Sequence, residues 1–319
     1  MRALLVVNPH ATSTTPAGRD VLAAALASEL KLDVAVTTHR GHAADLAAQA
    51  ARDAFDVVVV HGGDGTVNEV VNGLLLAGGD RPALPALGVV PGGSANVFGS
   101  GVGVPRDPVE ATRHLLHAIR AGRRRTIGLG RLRAWARSAD LAPPVPRWFT
   151  FNAGLGLDAD AVRRVELARA KGRRATTARY VRAAVRSYFG QDHKHPRLTV
   201  ELPGEDPVTG VYLAIVANSD PYSYAGNRPV RMHPGLSQDD GLGVFALRSL
   251  DLLPVLRHVA QILRRRGQPH GRHLVRRQDV PCVSISSEEP IGLQVDGDYL
   301  GEHVRVEFDA VPAALSVVA

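Results

Sequence analysis

A glycine turn that carries one acid is the stretch of this chain with the clearest chemical meaning. It reads His61-Gly62-Gly63-Asp64-Gly65-Thr66 and follows four consecutive valines, Val57–Val60. Such valines predict a strand that is covered on both faces, and glycines let a ligand approach the backbone closely. Backbone N–H groups at the start of a helix favour phosphate. Asp64 fits such a site if Mg²⁺ lies between its carboxylate and the phosphates, because two anions would otherwise repel each other.

A second glycine turn follows the next predicted strand and reads Pro91-Gly92-Gly93-Ser94-Ala95-Asn96. Ser94 offers a hydroxyl donor, and Asn96 offers both a donor and an acceptor. Either turn alone is typical of an ordinary strand-to-helix connection. Two such turns at the ends of parallel strands, one of them with Asp64, favour phosphate binding.

The elements that must position these turns alternate between strand and helix along the first third of the chain. Predicted strands are Leu4–Val7, Leu32–Thr37, Val57–Val60 and Leu87–Val90, and predicted helices are Ala17–Leu30, Ala43–Ala54 and a segment from Val67. Thr66 and Glu69 have capping-box spacing, which predicts a helix start at this point. The rhythm predicts a parallel sheet with helices on both faces and ligands at the carboxyl ends of its strands.

The remainder of the chain changes character. Short strand-like runs are Trp148–Ala153, Arg197–Leu202, Val211–Ala217, Gly243–Leu247, Val283–Ser286, Gly292–Val295 and Val304–Phe308, and helical segments are about Asp160–Phe189 and Leu252–Arg266. This spacing predicts an antiparallel, mostly β domain. We therefore expect an α/β domain over residues 1–125 and a β-rich domain over 126–300. For the terminal segment 301–319, a return to the first domain is left open.

Composition narrows the class of protein without choosing a partner. The 319 residues include 38 Lys and Arg against 31 Asp and Glu, a net charge of +7, which suits an anionic membrane, nucleic acid or polyphosphate. Aromatic residues make up only 5% and no nucleic-acid-binding module is recognised, so nucleic acid is not expected. The single cysteine, Cys282, excludes an internal disulfide, and its strand-like surroundings predict a buried thiol.

Targeting signals are not expected. The apolar run after Met1 is short and predicts a first strand rather than a secretion signal. No segment approaches the ~18 apolar residues of a membrane-spanning helix. These features predict a cytoplasmic protein for which peripheral contact with a membrane stays open.

Several motifs, taken in order, resemble those of the diacylglycerol kinase catalytic family. That family includes bacterial soluble diacylglycerol kinases, sphingosine kinases and ceramide kinases. The matching motifs are Asn8-Pro9, the first glycine turn with Asn68-Glu69 and Asn72-Gly73, the second glycine turn, Asn152–Asp158, Asp239–Leu242 and Val295–Asp298. The resemblance spans almost the whole chain, and the number and order of the motifs make it specific.

The resemblance implies an ATP- and Mg²⁺-dependent kinase that phosphorylates a lipid hydroxyl. Diacylglycerol is the default acceptor, and a sphingoid base or phosphatidylglycerol is the alternative. The implied fold is a nucleotide-binding α/β domain like that of NAD kinases and phosphofructokinases, followed by a β-rich domain for the lipid. By match, the residues that line the nucleotide site are Asn8, Thr38, Gly62, Gly63, Gly65, Thr66, Ser94 and Asn96.

The resemblance also implies roles for five acids. Asp64 organises Mg²⁺ and the phosphates, Asp298 stands where the family has its proposed base, usually a glutamate, and Asp296 lies near the transferred phosphate. Without the resemblance, Asp296-Gly297 is typical of a hairpin turn. Asp239 and Asp240 match an acidic turn that binds structural Mg²⁺ in some bacterial members. A solvated turn is an equal reading there, because Gly243 stands near the place of another acid.

Two further hypotheses remain. A soluble NAD or sugar-phosphate kinase shares the first glycine turn. A non-catalytic regulator that binds a nucleotide or lipid is suggested by Val97, which follows Asn96 where the family often has aspartate.

The expected partners are a lipid substrate at a membrane surface and the anionic membrane itself, while exposed edge strands permit a homodimer. Basic residues that could face the membrane are Arg163, Arg164, Arg169, Lys171, Arg173, Arg174, Arg179, Arg182, Arg186, Arg264 to Arg266 and the basic residues from Arg272 to Arg277. A solvated helix face is the alternative reading of this cluster.

Overall fold

A computed structural model describes residues 1–76, 84–137, 143–170, 177–190, 195–226, 228–264 and 267–319. The chain forms two compact units: unit 1 consists of Met1–Leu129 and Pro312–Ala319, and unit 2 of Gly130–Val311. The predicted bounds were 125 and 300. The difference arises because two long strands, β5 (Arg125–Trp135) and β16 (Asp298–Val317), each contribute residues to both units, so that no change of composition marks either junction.

Unit 1 is a parallel sheet with helices on both faces. Its other elements are β1 (Arg2–Val7), α1 (Pro16–Ala27), β2 (Lys31–Val36), α2 (His42–Arg52), β3 (Val57–Gly62), α3 (Asp64–Leu76), β4 (Ala86–Pro91), α4 (Val97–Gly101) and α5 (Pro108–Arg120). The strand order is β2-β1-β3-β4, and the end of β16 adds a strand beside β4, where Val317 pairs with Leu87.

The valine run owes its burial to the central position of β3 in this sheet. Val57 and Val59 pack in one core cluster with Leu26 of α1 and Leu115 of α5. The alternate valines, Val58 and Val60, point to the other face, where α3 packs, and they are equally inaccessible. On that face α2 and α3 are in close contact, and a Cβ on Gly73 would overlap the carbonyl oxygen of Ala44.

Unit 2 is largely antiparallel. Its elements are β6 (Arg147–Phe149), β7 (Asn152–Gly156), α6 (Leu157–Ala170), α7 (Thr177–Gly190), β8 (Leu198–Glu201), β9 (Val208–Val211), β10 (Leu213–Ala217), β11 (Ser223–Ala225), β12 (Arg228–Val230), β13 (Leu242–Leu247), α8 (Leu252–Ile262), β14 (Leu274–Val280) and β15 (Cys282–Val295). The strand order is β14-β13-β10-β7-β15-β16, with β8 also paired to β15. Its core includes Phe149 and Phe308, whose rings meet edge to face at 6.0 Å.

The helix predicted over 160–189 is wrong as a single element. α6 and α7 are separate helices that pack against each other, and Arg164 Nε donates to Ser187 Oγ at 3.0 Å. In one continuous helix these residues would be about 34 Å apart. The basic residues Lys171, Arg173 and Arg174 of the predicted helix lie outside the described residues, as do Arg265 and Arg266.

Two smaller predictions also differ from the structure. The strand predicted over 148–153 is broken between β6 and β7, because the backbone N–H groups there donate to a carboxylate instead of a neighbouring strand. Cys282 is exposed rather than buried, since it begins β15 beyond the core. Within the residues that the structure describes, no helix has the length and hydropathy needed to cross a bilayer.

Candidate functional site

The ends of three neighbouring strands in unit 1 bring the predicted nucleotide residues together. Asn8 follows β1, the first glycine turn follows β3, and the second follows β4. Asn8 Nδ2 donates to Thr66 Oγ1 at 2.9 Å, and Gly92 N donates to the carbonyl oxygen of Gly62 at 2.8 Å. Both glycine turns and Asn8 therefore form one edge of the sheet.

Most glycines in this edge are required by the contact between the two turns. A Cβ on Gly93 would lie 2.7 Å from the Cα of Gly63, and a Cβ on Gly92 would lie 3.1 Å from the Cα of Gly62. Gly65 differs, because a Cβ there would meet nothing within 4 Å. Close packing of the protein therefore does not explain Gly65, and the space beside it is open to a ligand.

The helix after the first turn begins earlier than the capping-box pattern predicts. α3 starts at Asp64, and the N–H groups of Thr66 and Val67 both donate to the carbonyl oxygen of Gly63 at 3.0 and 3.1 Å. Glu69 does not cap its own helix. Its carboxylate accepts from Gly41 N at 2.9 Å and from Ala43 N, so it caps α2, whose first residue is preceded by a glycine with no side chain.

Asp64 connects the first turn to α4, and Asn96 holds the second turn closed. Asp64 is half-buried, and its Oδ1 accepts the N–H of Phe98 at 3.1 Å, which caps α4. Asn96 has a φ of +49°, accepts from Gly93 N at 2.9 Å and donates to the carbonyl oxygen of Gly93 at 2.7 Å. The amide of Asn96 thus closes its own turn, while the side chain of Ser94 is exposed.

Thr38 follows β2 at the same end of the sheet and is exposed. Its Oγ1 lies 3.0 Å from His39 Nδ1 and 3.1 Å from His42 Nδ1, and the two imidazole rings stack with their centroids 4.9 Å apart.

His61 is held within its own unit. Burial lowers the pKa of His61, so the ring is neutral at pH 7. Its ring nitrogens lie 3.3 Å from Thr14 Oγ1 and 3.2 Å from the carbonyl oxygen of Val90. The ring borders a cavity of about 890 Å³ between α1 and α5, and none of the glycines of the two turns is among the residues that line it.

The donor set at this edge fits a magnesium nucleotide. Mg²⁺ in kinase sites is held by one or two carboxylates together with substrate phosphates rather than by a cage of protein ligands. Asp64 supplies one carboxylate at a helix start, and Gly65 leaves room beside it. In the described part of the chain, no three His, Cys, Asp or Glu side chains are grouped as a metal site would require.

The late Asp-Gly motif in unit 2 forms a two-residue hairpin turn between β15 and β16. Asp296 and Gly297 have φ values of +49° and +82°, as a type I′ turn requires, and Val295 pairs with Asp298 across it. Asp298 begins β16 and is half-buried. The hairpin therefore leaves Asp298 partly accessible, whereas Asp296 is buried.

Asp296 is buried and bound on both carboxylate oxygens. Oδ2 accepts the N–H and the hydroxyl of Thr150, each at 2.7 Å, and Oδ1 accepts the N–H groups of Phe151 and Asn152 at 3.0 and 3.1 Å. Burial raises the pKa of Asp296, and these four hydrogen bonds oppose the rise. Asp296 therefore joins the hairpin to the segment between β6 and β7. Its predicted role near the transferred phosphate stays a prediction.

Sequence reasoning assigned no role to a buried polar network beside this hairpin. Gln294 Nε2 donates to Asp158 Oδ2 at 2.7 Å and to Asn152 Oδ1 at 3.0 Å, and the Tyr222 hydroxyl donates to the same Asp158. Burial raises the pKa of both Asp158 and Tyr222. A Cβ on Gly154 would overlap Asp158, so the glycine in the Asn152–Asp158 motif was the available signal.

The acidic turn at Asp239 and Asp240 is exposed and closed upon itself. Asp240 Oδ2 accepts the N–H and hydroxyl of Ser237 at 2.8 and 3.0 Å. A Cβ on Gly243 would lie 2.7 Å from the ring of buried His233, which explains why no acid stands there. Metal binding at Asp239 and Asp240 therefore stays a prediction.

Comparison with known proteins assigns the chain to a family. Residues 2–132 match the family model of the diacylglycerol kinase catalytic domain, and residues 152–319 match that of the YegS C-terminal NAD kinase beta sandwich-like domain. The chain belongs to the YegS-like diacylglycerol kinase family. The predicted family is thereby confirmed.

Curated relatives of this YegS-like chain carry kinase names. It is 48% identical over 83 residues to "Probable lipid kinase YegS-like" of Chromohalobacter salexigens, an alignment that covers 26% of each chain. It is 36% identical over 103 residues to "Lipid kinase YegS" of Escherichia coli K12, covering 32% of this chain and 33% of the relative. The alignments thus span about a quarter to a third of the length of these relatives.

Solved structures support the fold of the YegS-like chain. A diacylglycerol kinase of Bacillus anthracis superposes with a TM-score of 0.70 at 18% identity, covering 99% of this chain and 96% of that one. A yeast NADH kinase superposes with a TM-score of 0.51 at 12% identity, covering 99% and 82%. The predicted fold, an NAD kinase-like α/β domain followed by a β-rich domain, is confirmed.

Proposed function

We propose that this chain is an ATP- and Mg²⁺-dependent lipid kinase that transfers the γ-phosphate to a lipid hydroxyl, with diacylglycerol as the first acceptor to test. The observation that carries the proposal is the edge of unit 1, where Asp64 stands at a helix start beside the open space at Gly65. The names of the curated relatives support the reaction class.

In this proposal the edge of unit 1 binds the triphosphate. The N–H groups at the start of α3 and the helix dipole attract phosphate oxygens. Asp64 is fixed by its hydrogen bond to Phe98 N, so its carboxylate has a defined position for the metal. Mg²⁺, when bound, neutralises the charge of the phosphates.

Asp298 is the proposed base. Its carboxylate takes the proton of the lipid hydroxyl while the hydroxyl oxygen forms a bond to the γ-phosphorus. The bond from that phosphorus to the β,γ-bridging oxygen breaks, and ADP leaves with the electron pair. Asp298 is half-buried in a rigid two-residue hairpin, which suits a group that must be accessible and well oriented.

The test is transfer of labelled γ-phosphate from ATP with Mg²⁺ to separate acceptors: diacylglycerol, sphingosine, phosphatidylglycerol, NAD and a sugar phosphate. We expect labelled phosphatidic acid, and we expect Asp64→Ala and Asp298→Ala each to abolish it. Matched controls are Asp20→Ala on α1 and Glu302→Ala on β16, exposed acids that should leave transfer intact. Label on NAD or the sugar alone, or full turnover by Asp298→Ala, would refute the corresponding part of the proposal.

A non-catalytic regulator is the second candidate because of Val97. Its side chain is buried in α4, immediately after the second glycine turn, so an apolar residue replaces the aspartate that often stands there in the family. This candidate predicts saturable ATP binding with no transfer to any acceptor, whereas the kinase predicts both.

A further inference from the structure

The helix α8 in unit 2 is packed with its polar side inward. His258 and Gln261 are buried, and His258 Nδ1 lies 3.2 Å from Gln261 Oε1. Gln261 also binds the backbone of His270 through both its amide nitrogen and its oxygen, each at 3.2 Å. The helix is therefore attached to unit 2 by these hydrogen bonds and by Ile262, which packs against an apolar cluster, rather than by its leucines.

The leucines of α8 face outward. Leu253 is 79% exposed, and Leu252, Leu256 and Val259 are between 41% and 55% exposed. Their spacing places Leu252, Leu256 and Val259 on one side of the helix. A surface helix of a globular domain normally turns its apolar stripe toward the core. The stripe of α8 faces the other way, so α8 presents an apolar surface that its own unit does not cover.

Helix α7 presents a similar stripe. Ala183 and Ser187 are buried against α6, whereas Val181, Val185 and Phe189, spaced four residues apart, are 57%, 49% and 75% exposed. The Tyr188 hydroxyl donates to the carbonyl oxygen of Leu250 at 2.8 Å, which places the end of α7 beside the start of α8. The α7 stripe therefore ends close to the place where the α8 stripe begins.

The charged side chains within the two helices have one sign. Residues 177–190 and 252–264 contain five arginines and no acid. Arg182, Arg186, Arg257 and Arg264 are all exposed, and Asp251 precedes α8 as its N-cap residue. Basic residues beside exposed apolar side chains are the pattern by which a helix lies in the interface of an anionic bilayer.

We propose that α7 and α8 dock on an anionic lipid bilayer through the α7–α8 face, which consists of Val181, Val185, Phe189, Leu252, Leu253, Leu256 and Val259. The inference rests on the proposed function, because an enzyme that phosphorylates a bilayer lipid has to reach its surface. A second copy of the chain is the less favourable occupant: a two-fold interface would bring arginines of both copies together with no acids from either helix to balance them.

The test is cosedimentation of the full chain with phosphatidylcholine vesicles that contain or lack phosphatidylglycerol, without ATP. We expect binding only when phosphatidylglycerol is present, and weaker binding at high salt. Leu253→Glu with Leu256→Glu should weaken binding at least about tenfold, because two leucines no longer leave water and two acids face the lipid. The matched control is Val21→Glu with Val109→Glu, equally exposed valines on α1 and α5, which should bind as the wild type does.

Three results would refute docking through the α7–α8 face: undiminished binding by the leucine variant, equal binding to neutral vesicles, or a dimer that the leucine substitutions dissociate while vesicle binding persists.

Transfer of phosphate to a short-chain diacylglycerol dispersed as monomers separates the two proposals. Absence of transfer with intact vesicle binding counts against the kinase. Intact transfer by a wild-type chain that does not bind vesicles counts against the docking face.

Discussion

Two turns in which an aspartate adjoins glycine, one in each unit, place that aspartate in opposite conditions. In unit 1, Asp64 is half-buried, and the glycine after it borders open space. In unit 2, Asp296 is 5% exposed, and four donors from residues 150–152 occupy its oxygens. The same pair of residue types thus borders open space in one turn and holds the fold together in the other. Burial and donor count, rather than the motif, distinguish the two.

The strongest way to break this comparison is Asp296→Ala. We expect the free energy of unfolding to fall by about 3–5 kcal/mol, because three buried N–H groups and a hydroxyl lose their acceptor. Urea denaturation followed by the fluorescence of nearby Trp148 measures the change. Asp298→Ala in the same hairpin should cost less than about 1 kcal/mol. Equal costs for the two variants would contradict the distinction between them.

Gly93→Ala and Gly65→Ala sharpen the comparison within unit 1. The first places a Cβ 2.7 Å from the backbone of Gly63, so we expect it to lower the free energy of unfolding by about 1–3 kcal/mol. The second meets no protein atom and should not destabilise the chain, since alanine favours a helix by up to about 1 kcal/mol. It should instead weaken ATP binding, measured by calorimetry. Unchanged affinity in stable Gly65→Ala would show that the open space holds no nucleotide.

His233 extends the comparison to a buried side chain whose ring nitrogens have no hydrogen-bond partners in the described part of the chain. Among the described residues neither ring nitrogen has a hydrogen-bond partner, and burial lowers the pKa of His233 to about 3. Because the unfolded chain binds the proton with a pKa near 6.5, stability should fall as the pH drops from about 6.5 towards 3. At pH 5 the loss is about 2 kcal/mol. His233→Leu should reduce the difference in stability between pH 7 and pH 5 by that amount, and an unchanged difference would assign it to other groups.

Asp64→Ala should have only a small effect on folding and a complete effect on the proposed chemistry. Loss of the cap on α4 costs about 1 kcal/mol. Thermal unfolding should therefore shift by only a few degrees, while transfer of phosphate is abolished. A large loss of stability would make Asp64 a structural acid like Asp296.

Sequence patterns correctly predicted the strands and turns that depend on residues close together in the sequence. The valine run and the glycine turns indicated the strand ends of unit 1, because a parallel sheet places successive turns at one edge whatever the details of its helices. The capping prediction for Glu69 was wrong because its acceptors serve Gly41, 28 residues away. Asp158 meets Tyr222 over 64 residues and Gln294 over 136, and no spacing rule reaches that far. The separation of α6 from α7 was missed because arginines and apolar residues recur through both helices.

The return of the chain to unit 1 has a consequence for its synthesis. Val317 pairs with Leu87, Val318 N donates to the carbonyl oxygen of Leu87 at 2.9 Å, and both valines are buried. While the ribosome is still making residues 130–311, the outer side of β4 has no such neighbour. The nascent unit 1 must wait for residues 312–319 to emerge, and during that interval its open strand is exposed to chaperones and to other unfinished chains.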